Sequence, residues 1–302
     1  MKQSVQSAPN IIMLCPFYQC EESIGEWAKY IEQLETKPSR IIFCENNSSD
    51  LTLEKIWNLK IKDVDIEVIR FYTVNMKDKK LLPFSKCYDI IAHARQLLLT
   101  KARILNPDYA IFVDSDIYLI DPTTLESLTL WDKDIIGGMY RRVFPTGVFI
   151  ATLFYENIRL REKSGWVKLR KFPMGVPLME VHSTSGGLLC LSRKVIQDRR
   201  LSFYPVPNNF SEDFGFCNSA RELGYSVWVD GTINVGHKIS LKWRAWDVIR
   251  EKDDERSKAF DEGTLIEDLK REREEKIKML KSKDKELEEI REKKRREYAK
   301  KV

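Results

Sequence analysis

The stretch YAIFVDSDIYLIDP, Tyr109 to Pro122, sets apolar residues on both sides of two aspartates and stops at an Asp-Pro. Its aromatic and β-branched residues read as a strand buried on both faces. Such a strand has no ordinary use for two carboxylates two residues apart. On its N-terminal side, YDIIAHARQLLLTKARIL has the pattern of a long amphipathic helix. Further back, VDIEVIRFY reads as a strand, LTLEKIWNLK as a helix, and SRIIFCENNSSD as a strand closing in a polar, turn-prone cluster. The series begins with the strand NIIMLCPFYQ and the helix EESIGEWAKYIEQLE, whose Ile24, Trp27, Ile31 and Leu34 recur at helical spacing.

Strands alternating with helices predict an α/β fold with a mostly parallel central sheet flanked by helices. Ligands of such sheets bind beyond the carboxyl ends of the strands. Both CENNSSD and VDSD close strands, so they are expected to meet at one crevice. On the C-terminal side, GVFIATLFYEN and GWVKLRKF read as strands or a hairpin. STSGGLLCLSRKVI reads as a glycine turn, a strand and a helix start; SEDFGFCNSARELGY as a helix capped by Ser211; SVWVDGTINVGHK as one more strand. Near Arg250 the composition changes to Lys, Arg, Glu and Asp with sparse Leu and Ile, predicting a charged helical tail over 251–302.

The 302 residues, 43% apolar, can bury the core of one large or two ordinary domains. The net charge is +5, and Gly263–Val302 alone carries 15 Lys or Arg against 11 Asp or Glu. The body is therefore close to neutral, which argues against broad electrostatic binding of nucleic acid. Cys15, Cys20, Cys44, Cys87, Cys190 and Cys217 are scattered without a C-x-x-C pair and read as reduced, mostly buried thiols. With no apolar run of membrane-spanning length and no signal-peptide core in MKQSVQSAPN, the expected location is cytoplasmic.

On a strand, side chains at i and i+2 share a face, so Asp114 and Asp116 can approach one cation together. An oxygen-loving divalent ion, magnesium or manganese, relieves their repulsion and leaves positions for phosphate oxygens. The plainer alternative is that one aspartate caps a turn while the other makes a surface ion pair.

The surroundings weigh against the plainer alternative. From about Asn10 to Lys238 the chain resembles GT-A fold glycosyltransferases, in particular the family-2-like enzymes of prokaryotes and their viruses. The pieces run in order: CPFYQCEESI, CENNSSD, AHARQLLL, FVDSDIYLIDP, DIIGGMYRR, EVHSTSGGLLCLSRKVI, SEDFGFCNSARELGYSVWVD and a final GH. The resemblance implies a GT-A domain over 1–250, its nucleotide-binding half about 1–122 and its acceptor half about 123–250. It implies that Tyr18, Glu45, Asn46 and Asn47 hold the base and ribose of a nucleotide-diphospho-sugar, and that Arg95 reaches the nucleotide or its diphosphate. Asp114, with Ser115 beside it, would face ribose and metal; Asp116 would be the principal metal ligand and His237 a further one. Of the pair in SED, Asp213 would be the general base of an inverting transfer, with Glu212 in support. Where many members of that family carry Asp-Asp, this chain has ENN, which leaves a UDP- or GDP-linked donor open.

Gly186 and Gly187 would let a sugar lie against the backbone, and Asp134 with GGMYRR is expected to shape the same pocket. Lys238, Lys242 and Arg244, with Trp243 and Trp246, either close over the diphosphate or lead into the tail. The aromatic and basic stretch Val143–Met179 suits a glycan or an anionic carrier; the acceptor itself is not legible, and a glycan, lipid-linked or protein hydroxyl is expected. In the tail, Ile266, Leu269, Ile277, Leu280, Leu287 and Ile290 form a narrow stripe. It suits a weak coiled coil and homo-oligomer, a solvated helix, or peripheral contact with anionic lipid. Two rival readings remain: a noncatalytic GT-A-like binding or scaffold protein, and a nucleotidyltransferase. The second is disfavoured because CPFYQCEES lacks a glycine-rich, basic phosphate loop.

Overall fold

The computed structural model of the chain describes residues 8–72, 84–139, 141–143, 149–151, 154–155, 167–168, 178–205 and 211–237. In chain order the elements are β1 (Ile11–Phe17), α1 (Ile24–Glu32), β2 (Arg40–Asn46), α2 (Thr52–Trp57), β3 (Asp65–Phe71), α3 (Phe84–Leu105), β4 (Tyr109–Val113), β5 (Ile117–Tyr118), α4 (Thr124–Leu130) and β6 (Ile135–Met139). The short strands β7 (Arg141–Val143), β8 (Phe149–Ala151), β9 (Phe154–Tyr155) and β10 (Val167–Lys168) follow. Then come β11 (Met179–Val181), β12 (Leu188–Ser192), α5 (Arg193–Gln197), α6 (Glu212–Glu222), β13 (Val227–Asn234) and β14 (Gly236–His237). The tail 251–302, most of Val143–Met179, and Lys238, Lys242, Trp243, Arg244 and Trp246 lie outside the described residues.

Eight strands form one sheet in the order β11-β13-β6-β12-β4-β1-β2-β3. The pairs from β3 through β2 and β1 to β4 are parallel. Beyond β4 the sheet is mixed: β12 runs antiparallel between β4 and β6, and β13 lies parallel to β6. The period-2 alternation of β1 explains why helices cover both faces. Met13, Cys15 and Phe17 pack with Trp27 and Ile31 of α1 and with Leu125 and Leu128 of α4. Ile12 and Leu14 pack with Leu98 and Ala102 of α3 and Phe216 of α6. Each such large side chain, removed from water, contributes roughly 1.5–3 kcal/mol. The result is the helix-flanked mixed α/β sheet that the GT-A resemblance implies. Among the described residues no helix is long and apolar enough to cross a membrane.

One expectation needs correction. Tyr109–Ile120 is not a single strand: β4 ends at Val113, and the Ile117 N–H closes a turn on the Asp114 carbonyl at 3.1 Å. Past that turn, β5 leaves the large sheet and pairs antiparallel with β14, setting His237 opposite Ile117. The i and i+2 rule for strands therefore does not govern Asp114 and Asp116. They stand on a turn and reach different partners.

Candidate active site

Beyond the carboxyl ends of β1, β2 and β4 lies a cleft of about 400 Å³. Phe17 at the end of β1 and Tyr18 after it, Cys44 and Asn46 on β2, and Ile90, Ile91 and Ala94 on α3 form one end; Asp114, Ser115 and Asp116 form its acidic end. The α3 wall follows from helical geometry, because Ala94 lies four residues after Ile90 and three after Ile91 and so shares their face. The sequence reading expected this helix to reach the nucleotide through Arg95 but missed its apolar wall, although the spacing of Ile90, Ile91 and Ala94 in IIAHA would have supported it.

Of the four residues expected around a base and ribose, Tyr18 and Asn46 line the cleft. Glu45 is fully buried and accepts the Ser48 N–H at 2.5 Å and the Arg70 Nε–H at 3.1 Å, so it shapes the loop after β2. Asn47 turns that loop with φ of 46°, a left-handed conformation that asparagine tolerates better than most residues. Cys44 is buried, which pushes its thiol up to about 12 and leaves it an apolar lining group at neutral pH. The described cysteines Cys15, Cys20, Cys44, Cys190 and Cys217 are all free and buried.

At the acidic end, His237 Nε2 lies 3.2 Å from Asp116 Oδ2. The antiparallel pairing of β14 with β5 delivers the histidine there. His237 is buried, whereas the Asp116 side chain is 47% exposed and opens to the cleft. Asp114 accepts from Arg95 Nη2 at 2.9 and 3.0 Å. Burial, helped by the nearby charges of Asp116 and Asp213, raises the Asp114 carboxyl above its usual range despite that arginine.

Asp213 sits in the first turn of α6. Its Oδ2 accepts the Gly186 N–H at 2.8 Å, and its Oδ1 accepts the Phe214 N–H at 2.7 Å and the Ser211 hydroxyl. Ser211 occupies the N-cap position but makes no side-chain capping bond to a backbone N–H. This corrects the expected serine cap: the Asp213 carboxylate takes the nearby amide, and the hydroxyl orients the carboxylate. Glu212 is buried and accepts Arg95 Nε–H at 3.0 Å. Burial first, then the charge of Asp213, pushes its carboxyl up to about 7 against the pull of Arg95.

Asp134 is a second correction. In the register of the sheet Ile135 lies opposite Leu191, which lies opposite Ala110, so Asp134 stands at the rim far from Asp114. There it faces Lys194 Nζ at 3.6 Å. Gly137 and Gly138 of the same strand do lie toward the cleft end.

Among the described residues no three His, Cys, Asp or Glu side chains form a group able to hold a metal by themselves. The structure brings Asp116 and His237 together, and ties Asp114 to Arg95. A carboxylate oxygen and an imidazole nitrogen at one cleft wall are donors that manganese or magnesium accepts, with the remaining positions left to a ligand's oxygens. The residues fit such an ion as a partial site.

No protein-family model matches the chain. Procollagen galactosyltransferase 2 of Mus musculus is 31% identical over 163 residues, covering 49% of this chain and 24% of that protein. The Homo sapiens protein of the same name gives the same values. Procollagen galactosyltransferase 1-A of Xenopus laevis is 30% identical over 164 residues, 50% of this chain and 25% of that protein. The matched region thus spans about a quarter of the length of these relatives. Among solved structures, S. aureus TarS 1–349 in complex with UDP has a TM-score of 0.47 at 15% identity, covering 73% of this chain and 57% of that one. A197 from STIV has a TM-score of 0.40 at 16% identity, covering 67% and 86%.

Proposed function

We propose that this chain is a metal-dependent glycosyltransferase that moves a sugar from a nucleotide-diphospho-sugar to an acceptor hydroxyl, with inversion and with Asp213 as general base. The observation that carries the reading is one cleft with two chemically distinct ends. An aromatic and aliphatic slot suits a nucleobase, and it opens onto Asp114, Ser115 and Asp116 with His237 against Asp116. The sequence likeness to procollagen galactosyltransferases supports glycosyl transfer and makes galactose the first sugar to try.

In this reading, Tyr18 and the α3 wall bind the base while Asn46 supplies a polar contact. Asp116 and His237, with Asp114 beside them, would hold the divalent ion. When bound, that ion supplies positive charge for the leaving diphosphate. The acceptor oxygen forms a bond to the anomeric carbon as the bond from that carbon to the diphosphate oxygen breaks. Asp213 takes the acceptor proton. Its carboxylate is suited to this because the Gly186 N–H, the Phe214 N–H and the Ser211 hydroxyl fix its orientation.

The test is to incubate the full chain with UDP- and GDP-linked sugars, UDP-galactose included, with manganese or with chelator. Collagen peptides and simple glycosides serve as acceptors. Release of nucleoside diphosphate that needs the metal, with a labelled product of inverted anomeric configuration by NMR, is expected. Folded protein that releases none from any donor would refute the proposal.

A further inference from the structure

Arg95 is 3% exposed and spends its whole guanidinium on the protein. Its Nε donates to Glu212 Oε1 at 3.0 Å, Nη1 to the Gly186 carbonyl at 2.5 Å, and Nη2 to both oxygens of Asp114. Its Cζ also lies 5.7 Å from the Phe112 ring of β4. Gly186, whose carbonyl the arginine holds, is the residue whose N–H binds Asp213. The guanidinium packs flat on this glycine: a Cβ at position 186 would stand 2.6 Å from Arg95 Cζ and would displace it. Glu212 depends on the same fork, since its second oxygen, Oε2, is buried without a hydrogen-bond partner.

We infer that Arg95 is a positioning residue, which ties the donor-side carboxylate Asp114 to the acceptor-side segment of Gly186, Glu212 and Asp213, and does not itself contact the donor diphosphate. The inference rests on the glycosyltransferase reading above and replaces the donor contact that the family resemblance implies for Arg95. Its physical basis is the planar fork of a guanidinium, which reaches three acceptors in fixed directions; a lysine ammonium on a flexible stem does not reproduce that geometry. Asp114 belongs to the turn after β4, Gly186 to the loop before β12, and Glu212 to the start of α6. One buried cation thus sets the spacing between the place where the leaving group is held and the place where the proton is removed.

The experiment compares wild type with Arg95→Lys and Gly186→Ala. Donor affinity is measured by calorimetry with manganese, and kcat and KM for donor by nucleoside diphosphate release. Folding is followed by thermal melts. Gly186→Ala leaves the arginine in place but pushes the guanidinium aside, so it tests the geometry if Arg95→Lys fails to fold. The expected result is a fall in kcat of about 100-fold or more in each folded variant, a loss typical of small misplacement. Donor Kd stays within about threefold of wild type, because the Asp116 and His237 pair, set by the β5–β14 pairing, keeps its place. A donor Kd weakened about tenfold or more with kcat preserved at saturation would make Arg95 a diphosphate contact and overturn the inference. Near-wild-type turnover in Arg95→Lys would overturn it too, since charge alone would then suffice. A wild-type chain that binds no nucleotide-sugar defeats the underlying reading and the inference together. An active wild type with donor-deficient variants defeats the inference alone.

Discussion

Asp114 and Asp116 are neighbours in sequence, yet one is held by a buried arginine and the other lies against a histidine. That split separates their surroundings: both line the cleft, but Asp116 is the more exposed carboxylate, while Asp114 is tied into a buried ion-pair cluster. Glu212 and Asp213 divide in the same way. Asp213 is partly exposed and oriented by three donors, so Asp213→Asn is nearly isosteric and removes the proposed base. A fall in kcat on the order of 10²–10⁴ with little change in donor KM is expected from steady-state kinetics. Glu212 carries a pH dependence. Its carboxyl titrates near 4.5 when unfolded and is pushed up to about 7 by burial and by Asp213 in the fold. Between those values the folded state binds more protons, so the ligand-free protein loses stability as pH rises across that window. Urea melts at pH 5 and pH 8 should differ by on the order of 3 kcal/mol from this group, and Glu212→Gln should shrink the difference. Asp114, also raised, contributes with the same sign.

The elements were more legible than the joints between them. Apolar runs gave the strands, and the spacing of Ile24, Trp27 and Ile31 gave α1, because burial on a sheet or against it leaves a local periodic signature. The turn after Val113 left no such mark. The residues IYLI continue the apolar run, and the partner that draws β5 away, Gly236–His237, lies far along the chain. Pairing at that separation has no local periodicity to betray it. Asp134 was expected at the pocket, but it precedes β6, which runs in the same direction as β4, so it lies at the amino rim and only the later Gly137 and Gly138 approach the cleft end. The α3 wall offers a test at this scale. Ile91 is 37% exposed at the mouth of the apolar slot. Ile91→Glu should leave the melting temperature within a few degrees of wild type. It should weaken donor binding about tenfold or more by calorimetry, because a carboxylate there would be desolvated against a base.

At the scale of the whole molecule, the mixed sheet brings together groups from the start, middle and end of the described chain: Tyr18, Asp116 and His237 meet at its carboxyl rim. The sequence order of motifs made that convergence legible through a family resemblance, whereas composition alone gave only a near-neutral α/β body. What the motifs could not convey was the wiring, in which Glu45 accepts from Ser48 and Arg70 while Arg95 donates to Asp114, Gly186 and Glu212. The claim on which the rest depends is that Asp116 helps hold a divalent ion for a sugar donor's diphosphate. Calorimetric titration of UDP- and GDP-sugars into wild type and Asp116→Ala, with and without manganese, tests it most directly. Binding to wild type should strengthen at least tenfold when manganese is added, and that gain should vanish in a folded Asp116→Ala protein. An undiminished manganese effect in the variant would contradict the account.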